Sequence, residues 1–188
     1  MDIHNRINTI KNTLTQTFAE IDHWFNLPES TLTFKPSNGG WTIDEILEHI
    51  GLTNHFLLIL IEKGTRKALE QAKKQDLAQA LENSDFQNEK LNEIGQHLSF
   101  KWIRPEHMEP RGEKTPEQVR AQLQLQLQQC LEYLDRMPNG EGVLYKTTMT
   151  VNDLGKIDVY EYIYFLAQHG QRHLTQMKKV AIAVTAKS

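Results

Sequence analysis

His169 and His173 stand four residues apart in the segment from Phe165 to Gln176. In a helix this spacing puts both imidazoles on one face, one turn apart. That is how a helix offers two nitrogens to one divalent metal. Tyr162, Leu166, Gln176 and Val180 share their stripe, so the pair points inward, where every imidazole needs a partner of its own. The same spacing arises by chance on solvated faces, and a lone inward His is commonly a hydrogen-bonded core residue. A third ligand is therefore needed, and His49 supplies one. It shares a face with Ile46 and Phe56, about six residues into its helix, while the midpoint of the pair lies about nine residues from the end of the last helix. At ~1.5 Å of rise per residue, antiparallel packing brings the three rings to one level. Three neutral imidazoles make a facial set with positions left open for water or substrate.

Two common metal sites are excluded by single residues. Gly170 follows the first histidine, so the general-base Glu of a metallopeptidase HExxH is missing. Glu-x-x-His occurs on one helix only, at Glu20 and His23, whereas a ferritin-like di-iron site needs it on two, so that site is excluded as well. Around the three histidines, Arg172 either orients an anionic cofactor or makes an ordinary ion pair. Gln176 either bonds a ligand His or bound water or is a core-edge amide. Glu45, one turn before His49, is placed to act as a base, although a capping role also accounts for it. The catalytic residue itself stays unassigned. His4 and His23 read as surface residues, His55 is turned away from His49, and His97 and His107 fall in a connector that approaches only the mouth of the site.

Four amphipathic helices must position these groups. The first carries Ile3, Ile7, Ile10, Leu14, Phe18, Ile21 and Phe25 at three-four spacing and ends before Leu27-Pro28. The second opens on a Thr42-x-x-Glu45 capping box, with Trp41 and Ile46 as a hydrophobic staple, and is expected to stop near Gly64. Thr115-Pro116-Glu117-Gln118 starts the third, and Pro138-Asn139-Gly140 ends it. Asp158 caps the fourth, with Glu161 three residues on. A connector of about 65–114 lies between the second and third helices, and its first part, Thr65 to Asn83, reads as a polar helix. The rest packs over one end of the molecule, since a long structureless loop is uncommon in a compact domain. Val143 to Val151 alternates enough for a short extended segment. The expected fold class is all-α, a four-helix bundle in one domain over residues 1–188, with long connections that permit parallel neighbours.

Composition narrows the partners. A net charge of −3 over 188 residues lacks the basic footprint of a nucleic-acid binder. The apolar run Phe56–Ile61 falls far short of the ~20 residues that span a bilayer, so no membrane role is expected. Cys130 alone makes no intrachain disulfide, and the N-terminus has no apolar leader core. A reducing, cytoplasmic setting follows.

Trp41-Thr-Ile-Asp-Glu-Ile-Leu-Glu-His49 resembles the second-helix signature of the DinB-like superfamily. Leu154-Gly-Lys-Ile-Asp-Val-Tyr-Glu161, followed by Phe165-x-x-x-His169-x-x-Arg172-His173-x-x-Gln176, is similar to its C-terminal signature, within the YfiT-like and bacillithiol-transferase-like branch. The two motifs cover under a third of the chain, and the order of helices extends the likeness. The resemblance implies an up-down-down-up bundle and a divalent metal, usually nickel or zinc, on positions that map to His49, His169 and His173. It also implies a homodimer and, for characterised members, S-transfer with low-molecular-weight thiols. Three readings remain open: a metal-dependent thiol S-transferase or related detoxifying enzyme acting on a small molecule, a metal-dependent hydrolase, and a non-enzymatic metal-binding or dimerising module.

Overall fold

The computed structural model of the protein describes residues 2–100 and 105–186. Helices α1 (Ile3–Trp24), α2 (Glu29–Leu32), α3 (Ile43–Ala72), α4 (Leu77–Glu82), α5 (Asn88–Gly95), α6 (Pro116–Arg136) and α7 (Val159–Thr185) dominate it. Strands β1 (Lys146–Met149) and β2 (Gly155–Asp158) pair antiparallel in a small hairpin that leads directly into α7. The all-α expectation therefore holds in the main, with this hairpin as its exception. Its second strand was not foreseen, because Gly155 and Lys156 read as a loop before the helix cap.

The start signals behave as the sequence predicts. Thr42 accepts from the Glu45 amide while Glu45 accepts from the Thr42 amide, and the pairs Thr115–Gln118 and Asp158–Glu161 do the same. Each box satisfies two donors that a helix N-terminus would otherwise leave open. Asp158 has a second task. Its carboxylate accepts two hydrogen bonds from Arg6, at 2.9 and 2.8 Å, inside the core. The first turn of α1 is thereby locked to the first turn of α7.

Other cross-links fix the directions of the long helices. Gln171 donates to Thr17 at 3.3 Å, and Lys178 lies 3.6 Å from Glu20, so α1 and α7 run the same way. Arg120 grips Asp22 at 2.8 and 2.6 Å, and Lys11 meets Asp135, so α6 opposes α1. Gln122 and Gln126 both donate to the Gly51 carbonyl, joining α6 to α3. Ile10, Leu14, Ile46, Ile50 and Ile163 are wholly buried between these helices. Each such side chain contributes roughly 1.5–3 kcal/mol relative to exposure.

One expected boundary is corrected. Gly64 does not end its helix, and α3 continues to Ala72. A glycine stop works through a left-handed backbone, but Gly64 is not among the residues with positive φ. It is a close-approach position instead: a Cβ there would lie 3.0 Å from Val159 Cγ2. Thr65 and Ala68 are fully buried, so the inward stripe runs on past the glycine. The polar helix expected over Thr65 to Asn83 is accordingly divided between the end of α3 and α4. The segment expected to be extended from Val143 to Val151 is strand only over Lys146–Met149, flanked by 3-10 turns at Glu141–Leu144 and Val151–Asp153.

Candidate metal centre

The capping box sets where α3 begins, and that register turns His49 toward the middle of α7. There it meets His169 and His173. Ring centroids are 5.2 Å apart for His49 and His169, 4.8 Å for His49 and His173, and 4.4 Å for His169 and His173. The rings face each other edge-on, at interplanar angles of 64°, 74° and 74°. One nitrogen from each lies within 4.8 Å of the others, so the trio could hold a metal ion. The Nε2 atoms of His169 and His173 are 3.0 Å apart. Two imidazoles bound at ~2.0–2.1 Å to one ion hold their nitrogens about 3 Å apart.

Hydrogen bonds choose the tautomers. His49 Nδ1 lies 2.7 Å from the Met108 carbonyl oxygen, which only accepts, so Nδ1 carries the proton and Nε2 presents its lone pair. His173 Nδ1 is 2.9 Å from Gln176 Oε1, with the same consequence. This is the outer arrangement that orients imidazole ligands and raises their basicity. Burial, first of all, holds both His169 and His173 well below the usual imidazole pKa, and mutual repulsion and the nearby Arg172 act in the same sense. Both rings are therefore neutral at pH 7, as a metal requires. The donor set fits a divalent transition metal on three chemical counts: lone-pair nitrogens, a fixed tautomer on two of the rings, and no carboxylate to favour a hard ion.

His49 and His173 line a hollow of about 300 Å³ together with Gly39, Gly40, Trp41, His97, Arg172 and Gln176, and His169 is buried beside them. The Trp41 ring lies 4.8 Å from that of His49. Arg172 donates to the Gln96 carbonyl at 2.6 Å, and its guanidinium lies 5.1 Å over Phe100. The other candidates divide. Gln176 is in the wall and bonds a ring of the trio. Glu45 is not in that wall: it is half-exposed, joined to Lys35 at 2.7 Å and to the Thr42 amide. Burial would raise its pKa, but the Lys35 and Thr42 bonds outweigh that and hold it low. Cys130 is buried on the α6 stripe, where desolvation pushes its thiol up to about 12, so it offers no thiolate near neutrality.

The connector reaches the site more closely than its sequence suggests. Met108 ends a 3-10 turn that lies on α3 and supplies the His49 partner, and His97 follows α5 into the cavity wall. Buried Glu48 anchors this stretch by accepting from the amides of Arg111 and Gly112, at 3.2 and 2.8 Å. Backbone partners such as the Met108 carbonyl have no sequence signature. Glu48 had one, an acidic residue directly before a candidate ligand. His4, His23 and His55 are exposed, as expected, and His107 packs on Phe56 at 4.4 Å.

Gly170 explains the missing metallopeptidase base. A Cβ at this position would fall 2.8 Å from Thr17 Cγ2 and 3.1 Å from Ile21 Cδ1. The residue after His169 faces α1, not the cavity, so a Glu here would be buried in the helix interface.

Fold and site together define an α-helical protein with a buried three-histidine cluster, two of whose rings line an open hollow. The chain belongs to the DinB superfamily, whose family profile matches residues 13–177. No curated protein and no solved structure gives a significant match to it. No described helix is long and apolar enough to cross a membrane.

Proposed function

We propose that this protein is a metal-dependent enzyme that transfers a low-molecular-weight thiol to an electrophilic small molecule, with the metal, nickel or zinc, held by His49, His169 and His173. The observation that carries the reading is the convergence of three imidazoles, two with Nε2 lone pairs fixed by their outer hydrogen bonds, beside a solvent-open hollow that His49 and His173 line. A closed structural site would add a fourth protein ligand, and among the described residues no further His, Cys, Asp or Glu joins the cluster. A divalent ion held by these three residues would supply Lewis acidity, which lowers the pKa of a bound thiol or water. The chain's own contributions are distinct from that. Met108 and Gln176 hold two ring protons outward, Trp41 shapes the wall, and Arg172, held by Gln96 and Phe100, adds a fixed positive charge in the wall that His49 and His173 share.

Helix directions support an up-down-down-up four-helix bundle of α1, α3, α6 and α7, with α3 and α6 opposed to α1 and α7. Superfamily membership favours a homodimer, which sedimentation of the full chain against 21.8 kDa per chain tests. A hydrolase uses the same ligands, but no carboxylate among the described cavity-lining residues stands ready as a general base. Cobalt-loaded protein separates the two. Added thiol is expected to produce a sulfur-to-metal charge-transfer band and thiol-dependent consumption of an electrophile. An unchanged spectrum together with metal-dependent ester or amide hydrolysis would replace this reading with the hydrolase.

A further inference from the structure

The chain holds two Asn-Gly pairs, Asn38-Gly39 in the turn before α3 and Asn139-Gly140 in the turn after α6. Such a pair is open to attack of the glycine nitrogen on the asparagine carboxamide, because glycine has no Cβ to shield it. Both asparagines are exposed, so what separates them is how the fold holds the atoms that would react.

Asn139 is clamped. Its Nδ2 donates to Glu141 Oε1 and its backbone amide to Glu141 Oε2, each at 3.0 Å. Turning the carboxamide onto the Gly140 nitrogen breaks the first of these, a bond to a charged acceptor. Gly140 is buried at φ +103°, and a Cβ there would lie 2.7 Å from Leu81 Cδ2, so the backbone has little room to rotate. An aspartate formed at this position would also face the Glu141 carboxylate. Asn38 is held in the opposite sense. Its Oδ1 accepts from the Gly40 amide at 3.0 Å, which folds the side chain back over the Gly39 peptide. That donor polarises the side-chain carbonyl and stays in place as its oxygen gains charge. Gly39 is exposed at φ +75°, and a Cβ there would meet nothing within 4 Å. One bond opposes the attack, from the Gly39 amide to the Pro36 carbonyl at 3.1 Å. It joins neutral groups in an exposed turn, where water replaces it at small cost.

We propose that Asn38 is a deamidation site of the folded protein and that the fold protects Asn139. The Gly39 nitrogen gives its proton to solvent and bonds to Asn38 Cγ, the Cγ–Nδ2 bond breaks, and the side-chain nitrogen takes a proton from water and leaves as ammonia. Water then opens the cyclic imide at either carbonyl, giving aspartate or isoaspartate. Water is consumed and ammonia released in equal amounts, with no change of oxidation state. The product adds a carboxylate, and in the isoaspartyl form a backbone methylene, to the turn that leads to Trp41 and the α3 cap.

Peptide mapping by mass spectrometry of the full chain, aged at mildly alkaline pH with and without denaturing urea, tests this. In urea only the local sequence acts, and the two pairs are expected to convert at comparable rates. In the native protein Asn38 is expected to convert at least about tenfold faster than Asn139, the ratio that breaking one further charge-assisted bond gives. Asn38→Ser is expected to remove most of the isoaspartate from native protein aged in the same way, read as methyl acceptance with an isoaspartate methyltransferase. The wild-type comparison remains decisive if that variant folds poorly. Conversion of native Asn139 as fast as Asn38, the same rate ratio with and without urea, a native Asn38 that stays unconverted while the unfolded chain converts, or methyl acceptance that survives Asn38→Ser overturns the proposal.

Discussion

Glu48→Ala should weaken metal binding without touching a proposed ligand. Its carboxylate accepts the Arg111 and Gly112 amides at 3.2 and 2.8 Å, and that anchor holds the chain leaving Met108, whose carbonyl takes the His49 Nδ1 proton at 2.7 Å. Hydrogen bonds to a charged group contribute ~1.5–3 kcal/mol each. Arg111 and Gly112 are exposed, so their freed amides regain water. The net cost to folding should be about 1–2 kcal/mol, which lowers Tm by roughly 3–6 °C in a chain of this size. The larger consequence is local. Once released, Met108 no longer fixes the tautomer of His49, and loss of such an outer partner costs ~10–100-fold in metal affinity. Because Met108 is displaced rather than removed, the lower end, about tenfold, is expected. Competition of zinc-loaded protein against a chelator of known affinity reads this directly, and hydrogen exchange over residues 105–112 verifies the release. Faster exchange in that segment with zinc affinity within twofold of wild type would refute the reasoning.

Further perturbations probe the scaffold and the titration. Asp158→Ala strands the buried Arg6 charge and removes the α7 cap; a loss of about 3–5 kcal/mol in urea unfolding is expected, and under 1 kcal/mol would contradict the lock between α1 and α7. Gly170→Ala forces a Cβ to within 2.8 Å of Thr17, for a cost of ~1–3 kcal/mol, while Gly39→Ala, which meets nothing within 4 Å, should show only the strain of its positive φ. Thr42→Ala loses one cap, ~1 kcal/mol, and should leave metal binding intact; unchanged stability with lost binding would refute the capping account. Burial holds His169 and His173 well below the ordinary imidazole range, so the unfolded chain binds more protons there; their contribution is fully present above that range and is lost as pH falls from it toward their lowered pKa. The urea midpoint of metal-free protein should drop from pH 7 to 5 more steeply than that of His169→Gln/His173→Gln, and parallel slopes would contradict it.

The capping boxes of α3, α6 and α7 were legible because each rests on residues three apart, and so were the inward faces of His49, His169 and His173. Gly64 misled because a glycine that admits a neighbour and a glycine that ends a helix look alike in sequence. What separates them is Val159, nearly a hundred residues away. β2 was missed for a related reason, since Gly155-Lys-Ile-Asp158 alternates too briefly to be read without its partner strand. The connector hid the most relevant contacts of all. Met108 acts through its backbone oxygen, and His97 reaches the cavity only because α5 packs along α7. Such placements depend on tertiary packing, which no local pattern encodes.

The central claim is that His49, His169 and His173 bind one divalent transition metal. Elemental analysis of the purified full chain, beside His49→Ala and the His169→Ala/His173→Ala double variant, tests it most directly. The account predicts about one nickel or zinc per wild-type chain and near-background metal in the folded double variant, with His49→Ala sharply reduced. Equal metal content in all three proteins would contradict it.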